Sequence, residues 1–179
     1  GTGSTNPADG NPGTLLVADV QWNTFEDMHM IEKGGVNCGW PLYEGILSLS
    51  SYYNSGTRNQ EEAGSPTFQS LCVQATSATI NPTPSQRRYT HAPPVLDWRH
   101  GQNVARYPDY STGTLTAKAI GSAGAAVTGT QFGGNCATSG TYYTGTAFPA
   151  NYRNVYFFAD YGQNWIKAVA LHDNDTHQA

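Results

Sequence analysis

Near the end of the chain two apolar runs, VYFFADY (155–161) and WIKAVAL (165–171), stand only three residues apart. Each is strand length and rich in β-branched and aromatic residues. The intervening Gly162-Gln163-Asn164 is turn chemistry. Two such runs joined by a short turn predict an antiparallel hairpin. A chain that ends in a hairpin and carries no long helical pattern is constrained to sheets. The rest of the sequence agrees. Only 12% of the 179 residues are charged, about half the usual share, while 20 are glycine and 10 proline. Long surface helices need more Glu, Lys, Arg and Ala than this. The expected class is all-β with long irregular loops.

Further strands are expected upstream. TLLVADV (14–20) is a continuous apolar run. FEDMHMI (25–31) alternates, with Phe25, Asp27, His29 and Ile31 on one side and Glu26, Met28 and Met30 on the other. The methionines are expected to face a core; unless Asp27 holds a metal ion, Glu26 and Asp27 are expected to be solvated strand charges. VLDW (95–98) is a short strand candidate. Residues 1–13 read as a linker or connecting loop and 14–179 as the folded part. Residues 46–90 are polar and irregular, and 101–120 read as loose. One echo recurs: TLLVAD at 14–19 and VYFFAD at 155–160 both end in Ala-Asp, with Asn23 and Asn164 four residues further on. The two aspartates lie 141 positions apart, the spacing of two strand–turn–strand units of about 70 residues.

Charge and composition exclude several classes. The net charge is −4 and no basic cluster occurs, so a nucleic-acid footprint is missing. No apolar stretch approaches membrane-spanning length, and the polar start GTGSTNPADGNPG does not read as a signal peptide. Cys38, Cys72 and Cys136 form no CxxC pair, which argues against a thiolate zinc site. A low-lysine surface rich in Thr, Ser and Tyr suggests a secreted, extracellular or periplasmic protein. Asn174-Asp175-Thr176 matches a glycosylation acceptor.

Three ordered segments resemble one family. They are ADVQWNTFEDMHMIEKGGVNCGWPLYEG (18–45), HAPPVLDWRHG (91–101) and GGNCATSGTYYTGTAFPANYRNVYFFADYGQNWI (133–166). Together they are similar to the soluble glucose/sorbosone dehydrogenases that use pyrroloquinoline quinone (PQQ). The resemblance implies two to three blades of a six-bladed β-propeller. It also implies a quinone cofactor and calcium, which such chemistry uses to polarise the quinone oxygens. Backbone carbonyls at Gln21 and Trp22 match the positions that hold the cofactor calcium, although the family prefers glycine at the first. A second calcium is implied at Asp27, with the carbonyl of Cys38 as a further donor. No family base motif surrounds His29, His91, His100, His172 or His177, so no catalytic base is assigned. The Tyr161–Asn164 turn lacks the cation found there in some members.

Other constellations admit plainer readings. Asp97-Trp98-Arg99-His100 suggests a local ion pair over a packed ring. Asp173–His177 suggests a solvated turn more than a calcium loop. Asp160 and Trp165 suit either a channel lining or a strand cap and inter-blade core, the latter favoured for Trp165. A Cys38–Cys72 bridge would tie down the 46–90 excursion. Two functions compete: a quinone-dependent sugar dehydrogenase of which this chain is a part, and a non-catalytic extracellular propeller module for binding or assembly. The implied partners are a sugar and either other copies of the chain or the remainder of a propeller.

Overall fold

A computed structural model describes residues 3–4, 6–9, 11, 13–71 and 90–171. The chain is mostly β and forms two antiparallel sheets. The first is a five-stranded meander of β1 (Leu15–Asp19), β2 (Phe25–Ile31), β3 (Leu96–Arg99), β4 (Ala105–Asp109) and β5 (Thr116–Ala119). The second contains β6 (Ala137–Tyr143), β7 (Val155–Asp160) and β8 (Trp165–Ala170). Two one-turn helices, α1 (Ser50–Tyr53) and α2 (Phe68–Leu71), interrupt the long excursion between β2 and β3. Among the described residues no helix is long and apolar enough to cross a membrane. Cys72 and the segments from His172 onward, including Asn174-Asp175-Thr176 and the Asp173–His177 turn, lie outside the described residues.

The C-terminal hairpin forms as its sequence pattern requires, with Asp160 opposite Trp165 at the turn and Val155 opposite Ala170 at the far end. Asn164 takes a positive φ of 53°, a conformation asparagine tolerates better than most side chains. β2 spans the alternating run FEDMHMI. Its environment differs from the expectation. Glu26 and Asp27 are not solvated: both are buried, as is His29. β2 is an interior strand of its sheet, so one face meets the second sheet and the other is covered by the glycine-rich segment. β1 differs in the opposite sense. It lies at the sheet edge, and Leu15 and Val17 stay exposed. The two Ala-Asp endings therefore share a motif but not an environment, since Asp160 is buried and Asp19 exposed.

β4 and β5 arise where loose chain was expected. ARYPD and TAKA carry a proline and a lysine and show little apolar alternation. Their order comes from tertiary partners: the Gln131 side chain accepts from Ala105 N at 2.7 Å and donates to Ile120 O at 2.6 Å. Asp97 also pairs differently from the local reading. Its carboxylate binds Arg106 on β4, not Arg99, while His100 reaches Glu26.

The core centres on Trp98, which is fully buried. Its ring centroid lies 5.7 Å from Phe158, 5.7 Å from Trp165 and 5.8 Å from Phe132, joining the two sheets. Tilted and edge-on aromatic pairs of this kind add roughly 0.5–1.5 kcal/mol each beyond their buried area. Trp165 thus fills a core, and its indole N–H donates to Gly133 O at 2.9 Å. Lys167 lies over the Phe132 ring at 4.8 Å. Two hydrogen bonds draw β1 onto the second sheet: Ala18 N donates to Ser139 Oγ on β6 at 2.7 Å, and Tyr156 Oη on β7 donates to Leu16 O at 3.3 Å.

Candidate functional site

The turn between β1 and β2 carries Gln21 and Trp22. A buried carboxylate holds it in place. Glu44 Oε1 accepts from both Asn23 N and Thr24 N at 2.7 Å. Glu44 belongs to the segment GGVNCGWPLYEG, whose glycines explain its path. Gly39 has φ +100°, and a Cβ there would lie 2.6 Å from His91 Cδ2. Gly45 has φ +79°, and a Cβ there would lie 2.5 Å from Asp97 Oδ2. Only glycine permits both the backbone shape and the close approach. The segment therefore folds tightly over β2 and β3 and presents Trp40 beside the β1–β2 turn.

An open cleft of about 420 Å³ results, lined by Asp19, Val20, Gln21, Trp22, Trp40 and Tyr52. Trp22 and Trp40 are 59% and 50% exposed. Their ring centroids are 6.4 Å apart, and Tyr52 of α1 completes a triangle at 5.4 Å from Trp22 and 6.0 Å from Trp40. These aromatic faces stay open to solvent beside the polar Asp19 and Gln21 and are not part of the core. The lining includes one acid, Asp19, and no basic residue. Partial burial and the neighbouring Asp27 raise the Asp19 carboxyl above its ordinary value.

The four positions implied by the family resemblance separate into two groups. Gln21 and Trp22 both line the cleft. Asp27 lies behind it in the sheet, where its Oδ2 accepts from Gln21 Nε2 at 2.8 Å. Cys38 stands next to His29, and its thiol is free, as is that of Cys136. His29 Nε2 is 3.2 Å from Asp27 Oδ1, an ion pair set off the line of a hydrogen bond. Burial pushes the His29 imidazole down, but Asp27 and Cys38 outweigh burial and hold it up at about 10.

These surroundings do not fit calcium. Calcium takes six to eight oxygen ligands, and the side-chain groups against Asp27 are the Gln21 amide nitrogen and the His29 imidazole. Among the described residues no group of three His, Cys, Asp or Glu side chains is arranged to hold a metal ion. A PQQ-type quinone bears several carboxylates, and the cleft lining supplies no cation to meet them.

Sequence reasoning missed Asp19, Trp40 and Tyr52 as cleft residues, and His29 as the partner of Asp27. Trp40 carried a usable signal, being a tryptophan bracketed by Gly39 and Pro41 in loop sequence. Tyr52 carried none, because its polar surroundings do not reveal a helical turn.

His91 lies beneath this site, fully buried and stacked on Tyr43 at 3.8 Å, with neither ring nitrogen hydrogen-bonded. Burial, and then the charge on His29, push it down to about 3. The unfolded chain protonates His91 below its ordinary value of 6.5 and the folded chain does not. Its contribution to stability is therefore present above pH 6.5 and lost as pH falls from 6.5 toward 3. His91→Phe keeps a stacked ring and removes the proton site. The melting temperature of this variant should fall less than wild type between pH 6.5 and 4; parallel curves would refute the assignment.

Comparison of the chain with family models, curated proteins and solved structures returned no match.

Proposed function

We propose that the chain is part of a secreted β-propeller of the glucose/sorbosone dehydrogenase type and that its cleft binds a neutral sugar. The triangle of Trp22, Trp40 and Tyr52 beside Asp19 and Gln21 carries this reading. A pyranose has an apolar C–H face that stacks on an aromatic ring and equatorial hydroxyls that need acceptors and donors at the ring edge. Trp22 and Trp40 supply the faces; the Asp19 carboxyl and the Gln21 amide oxygen supply edge groups that accept from hydroxyls. A lining with no cation suits an uncharged polyol better than an anion. Three described histidines, His29, His91 and His100, stand outside this lining.

The second reading is quinone-dependent sugar oxidation. One observation favours it: Gln21 and Trp22, the two positions implied for the cofactor, line this same cleft.

One experiment separates them. Glucose and short glucans are titrated into the chain while tryptophan fluorescence is followed, and PQQ with calcium is titrated in parallel while absorbance is followed. Saturable quenching by sugar is expected, with affinity lowered about tenfold in Trp22→Ala, a loss of about 1.4 kcal/mol. No sugar response, or one unchanged in Trp22→Ala, overturns the sugar reading. A quinone spectrum that shifts on binding, followed by dye reduction on adding glucose, establishes the second.

A further inference from the structure

Three aspartates form a row across the first sheet. Asp19 on β1 lies opposite Asp27 on β2, and Asp27 lies opposite Asp97 on β3. Residues directly opposite on neighbouring strands point to one face, and like charges so placed repel. Burial sharpens the problem, since Asp27 is 1% exposed and Asp97 0%. Carboxylates buried in this way require cations or donors against them.

The protein supplies both. Arg106 lies opposite Asp97 on β4 and grips it with two nitrogens, Nε to Oδ1 at 2.9 Å and Nη2 to Oδ2 at 2.5 Å. His29 is two residues beyond Asp27, hence on the same face of β2, with Nε2 3.2 Å from Oδ1. The Gln21 amide bridges the other two aspartates, donating to Asp27 Oδ2 at 2.8 Å and to Asp19 Oδ2 at 3.4 Å. Nitrogen donors thus already occupy carboxylate oxygens of Asp27 and Asp97 that a hard divalent cation would need as ligands.

We propose that His29 and Arg106 are built-in counter-ions of this aspartate row, and that His29 holds the place at Asp27 that a divalent cation would otherwise take. The row and the cleft in front of it then need no calcium. Gln21 connects the two: by spending its amide N–H groups on Asp19 and Asp27 it holds the Asp19 carboxylate at the cleft wall. The inference does not rest on sugar binding, because a cleft that takes no sugar leaves the row unchanged.

The test is calorimetric. Calcium chloride is titrated into the full chain, and thermal unfolding is compared in EDTA and in millimolar calcium. Wild type should give no binding heat and the same melting temperature in both. His29→Gln removes the counter-ion and should lower the melting temperature in EDTA, with partial recovery on adding calcium. His29→Lys should restore calcium-independent unfolding. One calcium bound per wild-type chain with Kd below about 100 µM, abolished by Asp27→Asn, would overturn the proposal. So would a His29→Gln chain as stable as wild type in EDTA. If His29→Gln does not fold, the wild-type titration with its Asp27→Asn control decides the question alone.

Discussion

Asp160→Ala should destabilise the chain by about 4 kcal/mol, a large share of the 5–15 kcal/mol that holds a typical domain together. The Asp160 carboxylate is 1% exposed and gathers four donors. Oδ2 accepts from Trp98 Nε1 at 3.0 Å, Asn135 N at 2.9 Å and Cys136 N at 3.0 Å; Oδ1 accepts from Gln163 N at 2.9 Å. Truncation leaves all four without an acceptor, and each such group costs roughly 1–3 kcal/mol where water cannot reach it. The loss also frees Trp98, the ring on which the aromatic core turns. Asp160→Asn keeps one acceptor oxygen and the side-chain volume, and should lose about half as much. Urea unfolding followed by tryptophan fluorescence measures both. A change below about 1 kcal/mol for the alanine variant would mean that water replaces the carboxylate.

Glu26→Ala is expected to have the next largest effect, about 3 kcal/mol. Glu26 is wholly buried on β2 and bonds in two directions. Oε2 accepts from Ala137 N on β6 at 2.5 Å, which links the two sheets, and Oε1 meets His100 Nε2. Burial raises the Glu26 carboxyl, while the bonds from Ala137 and His100 pull it back down. Alanine strands both partners and leaves a void. Glutamine preserves an oxygen for Ala137 N and can donate its amide to an uncharged His100, so Glu26→Gln should cost less than half as much as alanine. The ordering of the two variants is the check. Equal losses would show that the charge, not the hydrogen bonds, matters. Hydrogen exchange at Ala137 N–H should rise in Glu26→Ala and stay slow in Glu26→Gln.

How much of this was legible differs from strand to strand. The 155–171 hairpin could be read because its apolar runs, its turn and its register are all local. β2 could be delimited residue for residue, yet its alternation misled about burial. Period two says which residues share a face, not what covers that face. Asp27 and His29 share the side opposite Met28, and a second layer of loop seals that side too. β4 and β5 were illegible because their pairing is imposed from outside, by Gln131 and by the neighbouring strands. The Asp97–Arg99 proximity in sequence was equally misleading: although residues two apart on a strand share a face, Arg106 stands directly opposite Asp97 on the neighbouring strand and takes its carboxylate.

The candidate site divides the same way. Gln21 and Trp22 came from the family resemblance, as carbonyl donors to a cofactor calcium; the structure shows only that both line the cleft. Trp40 and Tyr52 join them only because Glu44 pins the β1–β2 turn and Gly39 lets the next loop fold close.

By itself the sequence determined an all-β chain, the terminal hairpin and the extent of β2, because these follow from composition, turn residues and alternation over a few neighbours. Tertiary structure alone decided the aspartate row and its counter-ions, the sheet-to-sheet bond from Glu26 and the aromatic triangle. Each of these depends on the register between strands or loops far apart in the chain. No local pattern encodes which of several like residues will stand opposite another once the layers close.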